Sequence, residues 1–246
     1  MEATISVIIP VKSDPKGLAT TVDALLKIDR NHVEIIVVDG GGCSTTQSWL
    51  LEHQHEIDHV RSAKDGGVYD AMNYGKSCAT GKWVWFLGAG DIPSVSTLEY
   101  LVDLPTEQQE IPLHIFSVQM DADREAGVPA SYPARWDASM YWRNTTHHQG
   151  VVYRRDLLKD RKFNAKWKVL SDYALHLSLF QSGIPFETHD RILAKVKSGG
   201  LSRKFHAGLY REEWNVKRQI LSGWRKWVQP VWLLVKFTSK QLGVPR

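Results

Sequence analysis

Two continuously apolar stretches stand near the start of the chain, "ISVIIPV" at residues 5–11 and "VEIIVVD" at residues 33–39. Neither alternates between apolar and polar positions, which is typical of strands buried on both faces of a parallel sheet. Between them, Asp14 and Pro15 are residue types preferred at a helix N-terminus, and apolar residues follow at helical spacing from Leu18. The pattern therefore predicts a strand, a helix and a second strand.

Strand and helix patterns continue to alternate after the second strand. The stretch "VYDAMNYGKSCATG" predicts a helix that ends at Gly81, and "KWVWFLGAGD" predicts the strand that follows it. This alternation predicts an α/β protein with a parallel, doubly wound sheet. Asp39 and Asp91 each stand at the end of a predicted strand, and ligands of such sheets bind beyond the carboxyl ends of the strands. The two acids are therefore the first candidates for a functional site.

The second half of the chain is less regular. "LHIFSVQM" predicts a strand, "HHQGVVYRRDLL" predicts a short strand leading into a helix, and a further helix is expected from Ser171 to Gly183. No low-complexity linker separates the two halves. We therefore expect residues 1–110 and 111–210 to be two halves of one domain with a continuous sheet, followed by a helical segment at 211–246.

The last segment combines tryptophan with basic residues. Its apolar positions recur at helical spacing and include Trp224 and Trp227, with Lys and Arg between them. Pro230 is expected to break or kink this helix. The apolar run is far shorter than the roughly 20 residues that span a bilayer, but a basic amphipathic helix can lie in the interface of an anionic membrane. The alternative is a helix that packs on the protein's own core.

Composition narrows the classes of function only slightly. The chain is 43% apolar and 24% charged, and its net charge of +4 permits an anionic substrate or membrane surface without requiring nucleic acid. Two cysteines far apart in sequence predict neither a disulfide framework nor a zinc cluster, and they favour a reducing compartment. The turn after the first strand, "PVKSDPKG", lacks the Gly-rich fingerprint of dinucleotide sites and the lysine signature of phosphate loops. NAD, S-adenosylmethionine and P-loop chemistry are therefore disfavoured.

Six blocks, in the same order, resemble the family 2 glycosyltransferases of the GT-A fold. They read "SVIIPVKSD", "EIIVVDGG", "KDGGVYDAMNYGKSCATGKWVWFLGAGD", "HHQGVVYRRDLL", "LSDYALHLSLFQSG" and "SGGLS", and they fall within roughly residues 4–205. The chain looks most similar to the bacterial members that build capsule, exopolysaccharide and O-antigen chains. The resemblance implies an α/β, Rossmann-like GT-A fold, in which helices flank a mostly parallel central sheet, followed here by the C-terminal amphipathic helical tail.

The resemblance also implies roles for residues at the nucleotide end of the site. Asp39 matches the family acid that hydrogen-bonds the nucleobase, in a pocket shaped by Pro10 and Val11. The segment expected along the ribose and sugar comprises Asp65, Tyr69, Asp70 and Asn73. From the residues alone, Asp65 with the two glycines after it fits a plain turn equally well. Asp70 and Asn73, three residues apart, fit a solvated helix face nearly as well.

Asp91 matches the last acid of the Asp-X-Asp motif with which many GT-A enzymes hold a divalent cation against the donor diphosphate. In "GAGD", Gly88 and Gly90 precede it and no earlier acid is present, so a single carboxylate remains. Mg²⁺ is commonly bound by one or two carboxylates together with substrate phosphates. We therefore expect Mg²⁺ or Mn²⁺ at Asp91, while the missing acid leaves the strength of binding, and even the need for the ion, open.

Asp172 matches the acid of the family's Asp-Tyr block and is the candidate general base, although the helix dipole alone also favours an acid at this N-terminal position. His148 and Gln149 match a pair on the acceptor side. Lys197 and Lys204 are expected to add positive charge near the diphosphate. The loop expected to close over the diphosphate comprises Ser198, Gly199, Gly200 and Arg203.

These expectations describe an inverting glycosyltransferase that moves a sugar from a UDP-, GDP- or dTDP-sugar to a hydroxyl group of a lipid-linked or oligosaccharide acceptor. Its setting would be bacterial surface polysaccharide synthesis, on the cytoplasmic face of the cell membrane, with residues 211–246 as the peripheral contact. The alternative is a non-catalytic nucleotide-sugar-binding subunit that partners an active transferase, which the missing acid before Asp91 favours. A nucleotidyltransferase is a weaker alternative, because "PVKSDPKG" supplies little of a triphosphate loop.

Overall fold

The computed structural model describes residues 4–121, 130–197 and 207–241. In this part of the chain, nine strands form one continuous sheet. The strands are β1 (Ile5–Val11), β2 (Val33–Asp39), β3 (His59–Ser62), β4 (Trp83–Phe86), β5 (Ile92–Pro93), β6 (Leu113–Met120), β7 (Ser131–Tyr132), β8 (Val151–Arg154) and β9 (Glu187–Val196). Their order across the sheet is β3-β2-β1-β4-β8-β6-β9-β5, and β7 pairs with β6.

Helices cover both faces of this sheet. They are α1 (Pro15–Leu25), α2 (Ser44–Glu52), α3 (Val68–Cys78), α4 (Val95–Val102), α5 (Thr106–Gln109), α6 (Arg155–Leu158), α7 (Ser171–Gln181), α8 (Ala207–Ile220) and α9 (Gly223–Gln241). The two faces bury separate apolar clusters. In β1, Ile8 belongs to the cluster that includes α3 and α7, whereas Val7 and Ile9 belong to the cluster that includes α1 and α4. A strand buried on both faces has no polar side, which explains its continuous apolar sequence.

The first four strands, β1 to β4, run parallel, so their carboxyl ends meet at one edge of the sheet. β1 pairs in parallel with β2 and β4, and β2 pairs in parallel with β3. In the second half, β8 is antiparallel to both β4 and β6, while β9 runs parallel to β6. β6 ends at Met120 and β9 ends at Val196, both near the same edge. The parallel, doubly wound arrangement predicted for the first half is confirmed.

The helix boundaries follow local chemistry at most of the predicted positions. Asp14 caps α1 by accepting a hydrogen bond from the Gly17 N–H, and Pro15 is the first helical residue. The helix expected to end at Gly183 is α7, and that glycine has a φ of +65°. A left-handed φ carries little steric cost only for glycine, so the residue type and the end of the helix agree.

The C-terminal helices correct one prediction. Pro230 does not break the helix, because the break lies between α8 and α9, where Gly223 has a φ of +59°, and a kink at Pro230 stays a prediction. Pro230 sits inside α9, on its exposed side. Water can solvate the carbonyl that proline leaves without a helical partner, so an exposed proline bends a helix without ending it.

Candidate active site

A cavity of about 480 Å³ opens at the carboxyl edge of the sheet. The ends of β1, β6 and β9 contribute to its wall, together with the loop after β4, the first turns of α3 and α7, and the turn before β8. The polar side chains that line it include Asp14, Asp91, Asn144, His147, His148, Gln149, Lys168, Asp172 and Lys197, and Pro10 contributes from β1. Two acids far apart in sequence, Asp91 and Asp172, therefore share one cavity.

Asp91 is buried in the loop after β4 and accepts three hydrogen bonds. Its Oδ2 accepts from the Gly88 N–H at 2.8 Å and from Gln149 Nε2 at 3.1 Å, and its Oδ1 accepts from the Lys197 N–H at 2.8 Å. Burial raises the pKa of Asp91 above its usual value, and the hydrogen bonds to Lys197, Gln149 and Gly88 only partly offset this. The acid thus ties the loop to the end of β9 and to the turn before β8.

Two glycines bring the loop close around Asp91. A methyl group added at Gly88 would stand 2.8 Å from Asp91 Oδ2, closer than real side-chain contacts allow. Gly90 has a φ of +96°, a backbone conformation that strains any other residue, and Lys197 Cδ passes beside it. Ala89 lines the cavity between them. An Asp-X-Asp motif that ends at Asp91 would have its first acid at the position of Ala89, so Asp91 is the single carboxylate of this loop.

The residues present fit a hard divalent cation. A carboxylate has about four lone-pair directions, and the three hydrogen bonds to Asp91 leave Oδ1 able to accept one more contact. Gln149 Oε1 is buried, and within the described residues it accepts no hydrogen bond. Carboxylate and amide oxygens are ligands that Mg²⁺ and Mn²⁺ prefer. Asp91 and Gln149 are accordingly the side chains that would hold such an ion.

Asp172, at the start of α7, is the centre of a second polar cluster. Its Oδ2 lies 3.2 Å from His148 Nδ1, and its Oδ1 accepts hydrogen bonds from the Tyr173 N–H at 2.7 Å and from the Tyr69 hydroxyl at 3.3 Å. Burial alone would raise the pKa of Asp172, but the hydrogen bond and charge of His148, with smaller help from His176 and the Tyr173 N–H, lower it to about 2. Asp172 is therefore ionised at neutral pH.

Buried aromatic and histidine side chains lie behind Asp172. His176 is fully buried, and its Nε2 is 2.5 Å from the Tyr153 hydroxyl. Burial lowers the pKa of His176 to about 4, so this imidazole is neutral at pH 7. Burial and the charge of Asp172 raise the pKa of Tyr69 well above 10. His176 and Tyr69 are therefore both uncharged at neutral pH, and the Tyr69 hydroxyl reaches the Asp172 carboxylate.

Asp39 does not line this cavity. It ends β2 and is fully buried, where its Oδ2 accepts a hydrogen bond from the Ser62 hydroxyl at 2.7 Å and its Oδ1 accepts one from the Gly41 N–H at 3.1 Å. Val11, its neighbour in the register of β1, is also buried. Of the predicted acids, Asp91 and Asp172 line the cavity and Asp39 does not, and the nucleobase role of Asp39 stays a prediction.

The remaining donor-side residues form a turn next to the end of β2. A methyl group added at Gly40 would stand 3.2 Å from Asp65 Oδ1, so this acid lies beside the strand end. Asp65 accepts a hydrogen bond from the Gly67 N–H, and Asp70 accepts one from the Gly66 N–H. Both acids therefore hold the glycine turn that starts α3, and their roles toward a nucleotide stay predictions.

Asn73 makes structural contacts. Its Nδ2 donates a hydrogen bond to the Phe163 carbonyl at 2.7 Å, and its Oδ1 accepts one from the Phe163 N–H at 2.9 Å. This pair of bonds ties α3 to the segment before α7. Because both ends of the amide are engaged by the backbone, a nucleotide contact by Asn73 stays a prediction that its geometry does not favour.

The expected diphosphate loop lies mostly outside the described residues. The predicted residues that fall outside the described ranges are Ser198, Gly199, Gly200, Arg203 and Lys204. Lys197, which is described, lines the cavity and pairs with Asp14 Oδ2 at 2.7 Å. Asp14 was predicted only as a helix cap, and sequence reasoning missed this second contact because the two residues are 183 positions apart.

The family follows from comparison with known proteins. A model of the glycosyl transferase family 2 matches residues 6–161, more than half of the chain. A PGL/p-HBAD biosynthesis glycosyltransferase from Mycobacterium bovis (strain BCG / Pasteur 1173P2) is 29% identical over 210 residues, which cover 80% of this chain and 78% of that one. The protein is therefore a glycosyltransferase, and it belongs to glycosyl transferase family 2.

Solved structures identify the fold. S. aureus TarS 1-349, in complex with UDP-GlcNAc, superposes with a TM-score of 0.70 at 17% identity and covers 99% of this chain and 74% of that one. The chain spans only 44% of the longer TarS chain. The mannosyltransferase PcManGT from Pyrobaculum calidifontis, in complex with GDP-Man and Mn²⁺, has a TM-score of 0.62 at 17% identity and covers 96% of this chain and 70% of that one. The fold is the predicted GT-A fold, with two C-terminal helices.

Proposed function

We propose that the protein is an inverting glycosyltransferase that moves a sugar from a UDP-, GDP- or dTDP-sugar to a hydroxyl group of a lipid-linked or oligosaccharide acceptor, in bacterial surface polysaccharide synthesis. The observation that carries the proposal is the cavity shared by Asp91 and Asp172 at the carboxyl edge of the sheet. In this proposal Asp91 holds a cation against the donor diphosphate, and Asp172, which is ionised at neutral pH, is the general base. The relative named for PGL/p-HBAD biosynthesis supports a glycolipid or glycan product.

In this mechanism Asp172 removes the proton from the acceptor hydroxyl as its oxygen attacks the anomeric carbon of the donor sugar. The bond between that carbon and the diphosphate oxygen breaks on the opposite face, so the configuration inverts. Binding of the hydroxyl at Oδ2 would replace the contact with His148 Nδ1, which is 3.2 Å away. Losing that contact would raise the low pKa of Asp172 and make the carboxylate a better base.

The leaving diphosphate requires positive charge. A divalent cation held by Asp91 and Gln149 would supply it when bound. Lys197 is placed to add charge because its side chain passes beside Gly90, next to Asp91. Its present partner is Asp14, a half-exposed pair that costs little to separate. We infer that Lys197 turns from Asp14 to the diphosphate when the donor binds.

The test of the function is release of nucleoside diphosphate from a panel of UDP-, GDP- and dTDP-sugars, with Mn²⁺ or Mg²⁺ and with EDTA. We expect one nucleotide class to be consumed, and EDTA to stop the reaction. In Asp172→Asn, we expect turnover to fall by about 10²–10⁴, the range that a general base contributes, while the affinity for the nucleotide stays near that of the wild type.

Asp23→Asn is the matched control, because it changes the same residue type at an exposed position of α1. It should keep wild-type turnover. Full turnover in Asp172→Asn would remove this acid from its role. Binding of a nucleotide sugar without any release of diphosphate, by the wild-type chain with every cation and acceptor tried, would instead favour the non-catalytic subunit.

We further propose that α9 rests on an anionic membrane surface. One stripe of this helix leaves Trp224, Trp227, Val231, Leu234 and Val235 exposed, at spacings of three and four residues. Arg225 and Lys226 follow the first tryptophan and match a negative surface in charge. No helix in the described ranges has the length and apolar character needed to cross a bilayer. The membrane contact we propose is therefore peripheral.

A further inference from the structure

A cluster of three metal-ligating side chains lies far from the cavity. His114, near the start of β6, pairs in register with Glu187, the first residue of β9. His189 follows two residues later and so points to the same face of the sheet. The other ends of both strands reach the cavity, at Met120 and Val196. With a rise of about 3.3 Å per residue, the cluster is roughly 20 Å from the candidate active site.

The donor atoms of these three side chains already point at one another. His114 Nδ1 lies 2.8 Å from His189 Nε2 and 3.9 Å from Glu187 Oε2, and all three ligand atoms fall within 4.8 Å. Both imidazoles are almost completely buried, while the glutamate is half-buried at the sheet edge. Glu187 Oε2 is itself a buried atom, and among the described residues it accepts no hydrogen bond. A buried carboxylate oxygen left in this way is costly unless a cation or a proton joins it.

The surroundings of the cluster suit a metal ligand. His189 Nδ1 is 3.2 Å from the Tyr100 hydroxyl of α4, which fixes the outer nitrogen and turns the inner Nε2 toward the cluster. Phe116 stacks on His189, and Trp83 meets His114 edge-on, so both rings are held close to their present orientations.

We propose that His114, Glu187 and His189 form a binding site for a transition-metal ion of the zinc class, separate from the cation expected at Asp91. Two imidazole nitrogens and one carboxylate oxygen are a donor set that suits Zn²⁺, whereas Mg²⁺ and Ca²⁺ prefer oxygen alone. Metal–ligand bonds of about 2.0–2.1 Å in a tetrahedron separate the donor atoms by roughly 3.3 Å. The donor separations of 2.8 and 3.9 Å lie on either side of that value, so small side-chain rotations would close the site.

The position of the site indicates what a bound ion does. The site lies where the paired strands β6 and β9 begin. The register between these two strands shifts a few residues later, between Phe116 and Val118. It also connects β9 to α4 through Tyr100. A metal there would hold the first residues of β9 in place. The other end of β9, at Val196, lines the cavity together with Lys197. We therefore expect the ion to stabilise the fold, and the inference does not depend on the donor or acceptor of the transfer reaction.

The test is a titration of the full chain, freed of any purification tag and without nucleotide, with Zn²⁺ in competition with a chromophoric chelator. The wild type should take up one equivalent of Zn²⁺ and unfold at a higher temperature with it. Glu187→Gln and His189→Gln should each weaken Zn²⁺ binding by at least about tenfold. Glu187 is the safer variant, because its side chain is 28% exposed and its replacement has nearly the same shape.

Two control variants separate this site from other sources of metal binding. His55→Gln removes a histidine whose side chain is 72% exposed, and Asp91→Asn removes the acid of the other cation site. Both should keep the tight equivalent of Zn²⁺. The proposal is overturned if the wild type holds no such equivalent, or if Glu187→Gln binds Zn²⁺ as tightly as the wild type. The two histidines would then form only a hydrogen-bonded pair.

Discussion

At the scale of single residues, the main question is how one carboxylate serves where many GT-A enzymes use two. Asp91 is surrounded by three N–H donors, and burial raises its pKa. Such an acid holds a cation less strongly by itself than an exposed pair would, because a proton competes for it. Under our proposal donor phosphate oxygens complete the cation site, so we expect the cation and the nucleotide to bind together.

This coupling gives a prediction for Asp91→Asn. In the wild type, Mn²⁺ should tighten the binding of the donor nucleotide, because each ligand completes the other's site. In the variant, we expect at least about tenfold of that gain to disappear, while nucleotide affinity without a metal changes little. Calorimetric titrations of the nucleotide with and without Mn²⁺ measure both quantities.

Asp14→Asn is the control for this measurement, since Asp14 lines the same cavity but pairs with Lys197. It should retain the gain from Mn²⁺. If Asp91→Asn loses the same factor of affinity with and without Mn²⁺, Asp91 only shapes the loop and does not hold the ion.

The same residues show how far a sequence can predict a site. Asp91 was placed at the cavity by a general rule, because the carboxyl ends of parallel strands share one edge. Asp39 obeys the same rule, yet its carboxylate turns to Ser62 and Gly41 and does not line the cavity. Side-chain direction depends on neighbours 23 residues away, which strand periodicity does not encode. The His114–Glu187–His189 cluster was missed for a similar reason, as its histidines are 75 residues apart.

At the scale of elements, hydrophobic periodicity predicted the first half of the fold well. Strands buried on both faces and helices with one apolar stripe leave strong patterns, and β1, β2, β4, α1 and α3 follow them. The end of α8 was missed because proline is the stronger breaker on average. The actual break falls at Gly223, where the chain needs a left-handed φ, while Pro230 sits on an exposed side that tolerates it.

The packing of α8 and α9 depends on a buried charge cluster. Glu213 lies between Lys217 Nζ at 2.9 Å and Lys236 Nζ at 2.6 Å, and Lys217 is fully buried. Burial lowers the pKa of Lys217 to about 8, although the charge of Glu213 opposes this shift. Removing the only acid of this trio leaves two ammonium groups close together. Glu213→Gln should therefore lower the free energy of unfolding by about 3–5 kcal/mol.

Denaturant titrations measure this loss. The double variant Glu213→Gln with Lys217→Met removes the fully buried cation as well, and it should recover part of the stability because only the partly exposed Lys236 is then left without its acid. Glu99→Gln, at an exposed position of α4, should stay within about 0.5 kcal/mol of the wild type. A Glu213→Gln variant as stable as this control would mean that water reaches the lysines.

At the scale of the whole molecule, α9 connects the proposed membrane contact to the cavity. The side of α9 that faces the protein donates two hydrogen bonds to the turn that precedes His148 and Gln149. Gln229 donates to the Tyr141 carbonyl, and Trp232 donates to the Trp142 carbonyl. A few residues later in the chain, Asn144 and His148 line the cavity. α9 therefore packs on the protein with one side, as the second alternative for the tail expects, and exposes an apolar stripe with the other, so the membrane contact stays a prediction.

This arrangement decides how the membrane contact should be tested. α8 contributes Val216 to the core, so deleting the tail from Arg211 would unfold the protein and prove nothing about lipid. Substitution of the outer stripe avoids this problem. Trp227 and Val231 are 77% and 67% exposed, and changing both to Gln should leave the melting temperature unchanged.

We expect this double variant to bind anionic vesicles at least about tenfold more weakly than the wild type, because each side chain loses on the order of 1.5–3 kcal/mol of apolar burial when fully inserted. Lys226→Gln should weaken binding to anionic vesicles and not to neutral ones, by about 1 kcal/mol. Leu51→Gln, at an apolar residue of α2 that is 70% exposed, is the control and should bind as the wild type does. Vesicle flotation measures all three. If the Trp227 and Val231 substitutions leave flotation unchanged, the stripe does not face a membrane, and the acceptor must reach the cavity from solution.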